Sequence, residues 1–139
     1  MSKEVSIKLK NFFVIIFICL VFFIVCFIFY TEITKNQKIN NAKKNFYEVK
    51  KELIKNTKLC KDKSKISTFG QPCLNFPDIK DINYYFNTSN QMFNPYDLSK
   101  GVNGSSGSVL IVMIDKQIQI SVDIDANGGI DIEHIIKLP

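Results

Sequence analysis

The chain has 139 residues, is 46% hydrophobic and carries a formal charge of +5; beyond one long apolar run, what remains is enough for a single small domain. Every basic residue is Lys, with no Arg and no Trp, and the positive charge is spread without an aromatic-basic cluster. That pattern argues against nucleic acid as a partner. The abundance of Lys, Asn, Ile and Phe is the bias an AT-rich genome produces, so the Lys count carries no functional weight.

Residues 1–11 form a short tail with Lys3, Lys8 and Lys10 against Glu4, expected on the cytoplasmic side. Residues 12–30, FFVIIFICLVFFIVCFIFY, contain neither a charge nor an amide. At about 1.5 Å per residue a helix of this length covers roughly 28 Å, close to the ~30 Å hydrocarbon core of a bilayer. A buried core helix in so short a chain would need a polar face, and this run has none. The sequence therefore predicts a transmembrane helix with the lipid bilayer as its partner. Cys19 and Cys26, seven apart on one helical face, read as small apolar packing groups. The run closes on Phe-Ile-Phe-Tyr without the small-x-small exit of a cleaved signal, which predicts a retained anchor.

Between Thr31 and Leu59 there is neither Gly nor Pro, so nothing obliges the helix to stop at the membrane interface. Ile39, Ala42, Phe46, Val49 and Leu53 recur at helical spacing and form one apolar stripe. The stripe fits either a covering sheet or a parallel coiled coil; two heptads are marginal alone, and apolar strands further along favour the sheet. The whole helix, from Phe12 to Leu59, would reach on the order of 70 Å. Lys35, Lys38, Lys43 and Lys44 balance the lysines of the tail, so charge alone does not orient the span.

Cys60 and Cys73 stand thirteen apart in polar, turn-rich sequence, a spacing that suits a disulfide closing a short loop. A zinc pair is the alternative, but two thiols and one distant His134 do not complete a tetrahedral site. The disulfide implies an oxidising compartment and so places residues 31–139 outside the cytoplasm, in the periplasm or extracellular space. Cys60 to Gly107 reads as a connecting region. Its aromatics Tyr84, Tyr85, Phe86 and Phe93 are expected to dock on a core, Asn94-Pro95-Tyr96-Asp97 is expected to turn, and Lys100 to Ser108 is expected to be a flexible surface loop. The glycosylation-like triplets at Asn87 and Asn103 are assigned no role.

Val109 to Ile114 is apolar throughout, as a central strand would be. After the turn at Asp115-Lys116, Ile118, Ile120, Val122 and Ile124 alternate with Gln119, Ser121 and Asp123, and beyond Ala126-Asn127-Gly128-Gly129 the pattern resumes with Ile130 and Ile132. This predicts a three-stranded antiparallel meander with one buried face. The predicted class is α+β: a long N-terminal helix, transmembrane in its first half and amphipathic in its second, with the amphipathic half packed on a C-terminal meander.

That arrangement, with a cysteine loop on the domain and the acidic hairpin Val122 to Gly129, resembles the type IV pilins and type II secretion pseudopilins. The likeness is architectural and covers most of the chain. It implies a non-enzymatic structural or accessory subunit of a bacterial envelope assembly, in contact with other membrane or pilin-like subunits. Leu9-Lys10-Asn11-Phe12 stand where that family has the Gly-Phe of a processing site, and no Glu follows early in the span. The alternative is therefore a membrane-tethered domain that does not polymerise and binds a partner or small ligand through Tyr84 to Tyr96.

One stretch carries candidate chemistry. Asp123, Asp125, Asn127, Gly128 and Asp131 fall at positions 1, 3, 5, 6 and 9 of a calcium-loop pattern, a spacing that turns oxygen ligands toward one hard cation. Position 12, where a bidentate Glu is needed, is His134, with Glu133 one residue early. A hairpin with a wet face and an Asn-Gly turn accounts for the same residues, so metal-binding Asp123, Asp125, Asn127 and Asp131 stand as an expectation beside that simpler one. No catalytic constellation is present: His134 has no Ser or external Cys at motif spacing, and Gly128-Gly129 is no phosphate loop. His134 is expected at a strand end near the surface.

Overall fold

The computed structural model describes residues 3–138 and, for side chains, residues 10–138. The chain divides into two compact units, Met1–Asn36 and Gln37–Pro139. One helix, α1 (Lys3–Leu59), runs without a break through the stretch that lacks Gly and Pro. In the first unit every side chain from Phe12 to Tyr30 is exposed, with Phe23 at 77%. The helix is long and apolar enough to cross a membrane. Thr31 and Thr34 return their hydroxyls to the carbonyls of Ile28 and Tyr30, both at 2.8 Å, which keeps these polar groups satisfied within the helix.

In the second unit the predicted stripe is the buried one. Ala42, Phe46, Val49 and Leu53 are all buried, and Ile39 is half-buried. They share a core with Ile82 and Phe86 and with Ile111, Ile118, Ile120, Val122 and Ile136 of the sheet. The remaining faces of this part of α1 carry Lys and Asn, so one helix face lies on the sheet and the other meets water.

The sheet is an antiparallel meander of β1 (Val109–Ile114), β2 (Gln117–Val122) and β3 (Ile132–Lys137), in the order β1-β2-β3. Ile111 pairs with Ile120 and Ile120 with His134, so these residues share the face turned to the core. β1 is apolar throughout, as a central strand would be, yet it is an edge strand, the place the meander gives it. Leu110, Val112 and Ile114 point outward and are exposed. β2 is central because a meander joins it in turn to β1 and to β3. The free side of β1 is blunted locally: Val109 donates to Gly101 at 2.8 Å, and the Asn103 side chain accepts from the Ile111 amide at 2.7 Å. An asparagine thereby stands in for a strand backbone.

The disulfide between Cys60 and Cys73 is formed, with Cα atoms 4.8 Å apart. It closes a loop that folds back on itself through Ser67 N to Gln71 O at 2.9 Å and Cys73 N to Lys65 O at 2.9 Å. Buried Asn56 fastens that loop to α1, since its carboxamide accepts from Thr68 N at 2.7 Å and donates to the Glu52 carbonyl at 2.8 Å. Beyond the loop, Asp78 caps α2 (Ile79–Tyr84) by accepting from Lys80 N at 2.8 Å. A wider turn, Tyr85–Ser89, follows. Phe86 is buried and Tyr85 half-buried beside Phe69, with ring centroids 5.8 and 5.2 Å from it. Tyr84 and Phe93, expected on the core with them, face outward instead.

Candidate functional site

The β2–β3 connection, Asp123 to Asp131, brings together the residues singled out by their spacing. Ala126 and Gly128 adopt left-handed backbone, with φ of 58° and 95°, and this turns successive amides toward the side chain of Asp123. Asp123 Oδ1 accepts from Asn127 N at 3.1 Å, and its Oδ2 accepts from Gly128 N at 2.6 Å and from the Ser106 hydroxyl at 2.8 Å. Asp125 accepts from Asn127 N at 3.2 Å and from Asn127 Nδ2 at 2.9 Å. Asp131 accepts from Ile124 N at 2.8 Å, and Asn127 Oδ1 from Gly129 N at 2.9 Å. Carboxylate oxygens of Asp123, Asp125 and Asp131 lie within 4.8 Å of one another.

Hydrogen bonds from the loop amides and from Ser106 converge on Asp123. Burial alone would raise the Asp123 carboxyl, but the Gly128 amide, the Ser106 hydroxyl and the Asn127 amide outweigh it and leave its pKa below the ordinary carboxylate value. The residues that would complete a calcium loop do not turn inward. Glu133 accepts from Gln119 Nε2 at 2.8 Å on the outer face of the sheet. His134, expected at a strand end, sits within β3 on the face toward α1, half-buried; burial and then the charge of Lys50 press its pKa below the usual histidine value.

The wall of this loop is built from residues that spacing did not single out. Tyr96 donates its hydroxyl to the Ile124 carbonyl, and its ring lies 5.7 Å from the Lys38 ammonium on α1. Burial first, then the charges of Asp125, Asp123 and Asp131, raise the Tyr96 pKa, so the phenol keeps its proton and its role as donor. Gly107, at φ 90°, passes so close to Tyr96 that a Cβ there would stand 2.5 Å from the ring; no other residue lets the ring in. Fully buried Asn94 donates to Ser105 Oγ at 3.0 Å and to the Ser106 carbonyl at 2.9 Å, while accepting from Tyr96 N at 2.9 Å.

The segment Lys100 to Ser108, expected as a flexible surface loop, is therefore fastened at several points. Gly101, Val102, Gly107 and Ser108 are buried, and Val102 exchanges two hydrogen bonds of 2.9 Å with the Asn87 side chain. Its glycines allow close packing rather than freedom. The Asn-Pro turn was the available signal for Asn94, because an Asx side chain ahead of Pro tends to bond its own backbone two residues on. Nothing in the sequence pointed to Ser106. The sequence matches no protein-family model, no curated protein and no solved structure.

Proposed function

We propose that the chain is a non-enzymatic, single-pass membrane protein of the pilin-like kind, a structural or accessory subunit of a bacterial envelope assembly of pilus or secretion type. The observation that carries this reading is the helix α1 itself. Its residues 12–30 present apolar side chains on every face, and its residues 42–53 supply the stripe that closes the core of an antiparallel meander. A helix that serves only a small soluble head has no use for the first part. One that serves only as an anchor has no use for the second. The tail lies on the cytoplasmic side and the disulfide-bearing domain outside, in the oxidising compartment where such a bond persists.

Assembly of this kind sets the spans side by side, so cysteines introduced along Phe12 to Tyr30 yield crosslinked ladders, and the protein leaves cells with sheared filaments. A protein that remains wholly monomeric in the membrane fraction under both treatments belongs to the other class, a tethered domain that does not polymerise. That alternative draws on Asn11-Phe12 at the position where the processing site would lie. Orientation is read separately: a cysteine in Lys100 to Ser108 reacts with an impermeant thiol reagent in intact cells, and one in the tail does not. The opposite labelling reverses the topology.

A further inference from the structure

The stretch Gln91 to Lys100 turns back on itself beside α1, with Phe93 bridged to Lys100, and leaves between itself and the helix an open cleft of about 320 Å3. One wall is apolar. Phe93 is 54% exposed and Leu98 77% exposed, although a buried core lies within reach of the same stretch through Met92. The same lining holds carboxamides: Asn41 and Asn45 from α1, and Asn90 and Gln91 from the facing stretch.

These amides are held but not used up. Asn45 Nδ2 donates to the Phe93 carbonyl at 2.9 Å and Asn90 Nδ2 to Glu48 at 2.7 Å, which fixes both groups while their Oδ1 atoms take no donor among the described residues. Asn41 and Gln91 make no side-chain hydrogen bond among the described residues. Gln91 and Leu98 both hold left-handed backbone, at φ 49° and 59°, which L side chains rarely adopt and which is retained where a surface is shaped for contact. Charge in the cleft is balanced, with Lys44 against a Glu48 already engaged by Asn90.

An aromatic face beside fixed groups that both donate and accept is complementary to a molecule with apolar C–H faces and a rim of hydroxyls. We propose that this cleft binds a neutral saccharide unit, with Phe93 as the stacking platform and Asn41, Asn45, Asn90 and Gln91 as partners of its hydroxyl or acetamido groups. An extended peptide fits less well, because it is read through an unpaired strand edge. Here Asn94 N already bonds Ser99 O at 2.8 Å, Gly101 N bonds Met92 O at 3.1 Å, and the Phe93 carbonyl is taken by Asn45. The inference does not depend on whether the chain assembles with other subunits.

The test is saturation-transfer NMR on the full-length protein in lipid nanodiscs, with N-acetylglucosamine, galactose, maltose and tetra-alanine as probes. Transfer to the ring protons of at least one sugar is expected, with affinity about ten-fold weaker in Phe93→Ala, weaker in Asn41→Ala, and unchanged in Tyr84→Ala, whose exposed ring lies outside the cleft. Absence of transfer to every sugar, equal affinity in Phe93→Ala and the parent, or transfer to tetra-alanine in preference overturns the proposal. Should Phe93→Ala lose its fold, the exposed Asn41→Ala decides in its place, and an unchanged affinity there is equally fatal.

Discussion

Two apolar stretches of one helix are treated in opposite ways. From Phe12 to Tyr30 every side chain is exposed; from Ala42 to Leu53 the stripe Ala42, Phe46, Val49 and Leu53 is buried and the rest, Tyr47 included, are not. Phe, Leu and Val serve in both; what differs is their placement, on every face in the first and along one stripe between Lys, Glu and Asn in the second. An apolar group on every face can be satisfied only by a solvent that is itself apolar, whereas a stripe at spacings of three and four needs a single partner surface and leaves water on the other side. The first stretch is long and apolar enough to cross a membrane, the second lies on the core of the domain, and periodicity tells them apart.

Substitution of matched side chains breaks this comparison most sharply. Phe46→Ala empties a fully buried position under the sheet and is expected to cost the domain about 3–5 kcal/mol. Phe22→Ala removes the same atoms from an exposed position of the span and should leave domain melting unchanged. Thermal unfolding of both full-length variants in detergent, followed by near-ultraviolet dichroism, checks the pair. An equal loss in both would mean that the two stretches share one environment.

The next largest effect belongs to the cysteines, where the same contrast holds. Cys60 and Cys73 are bonded, while Cys19 and Cys26 in the span are free. Closing so short a loop is expected to contribute about 3 kcal/mol by restricting the unfolded chain, so Cys60→Ser or Cys73→Ser lowers the melting temperature and Cys19→Ser does not. Mass spectrometry without reductant, on protein taken from its envelope, should find the first pair linked. Finding both thiols free would remove the bond and with it the main support for an external domain.

Periodicity is also the measure of what was legible in advance. The stripe Ala42 to Leu53, the alternation Ile118 to Val122 and the turn at Asp115 repeat a geometric rule over several residues, so the elements could be drawn before any coordinates. Sheet order followed from the meander, but how the outer side of Val109 to Ile114 is closed did not: an Asn103 side chain caps that edge from outside the strand. The loop from Lys100 to Ser108 was misread for a related reason. Gly and Ser mark freedom when nothing is near, but Gly107 is there because Tyr96 is in contact with it, and no local pattern records a contact across the chain. Of the candidate site, the acids of the hairpin were visible as a spacing and Asn94 as the head of an Asn-Pro turn; that Tyr96 and Ser106 reach the hairpin was not.

Two ionisable groups sharpen the contrast between the hairpin loop and the sheet face beneath it. His134 has a pKa lowered by burial and by Lys50. Its native form therefore binds a proton less readily than the unfolded chain, so its stabilising contribution is full above the unfolded value of about 6.5 and is lost as pH falls through the lower native value. Asp123 follows the same sign at lower pH: its contribution is present above the unfolded value of about 3.9 and is lost below it. A melting profile from neutral to acid pH should fall in two stages. His134→Gln removes the upper one, and Asp123→Asn reduces the lower, which Asp97 and Asp62 share because hydrogen bonds from Ser105 and Ser64 hold their carboxyls low as well.

The smallest expected effect concerns the loop and a hard cation. Three carboxylates within 4.8 Å are a spacing that calcium can use, yet Asp123 already accepts three hydrogen bonds, Asn127 Oδ1 is bonded to Gly129 N, and Glu133 is drawn to Gln119 on the outer face. An ion would have to be worth more than those contacts, without the bidentate Glu that supplies two of the ligand oxygens in such loops. A ligand that binds only the native state raises melting in proportion to the logarithm of its concentration over its dissociation constant. A hairpin closed by its own amides predicts no such rise: millimolar calcium should leave the melting temperature of the full-length protein and of Asp125→Ala alike. A rise in the parent that Asp125→Ala abolishes would place an ion among Asp123, Asp125, Asn127 and Asp131. An equal rise in both would assign the effect to calcium elsewhere on the chain, because the remaining ligands would be one carboxylate short.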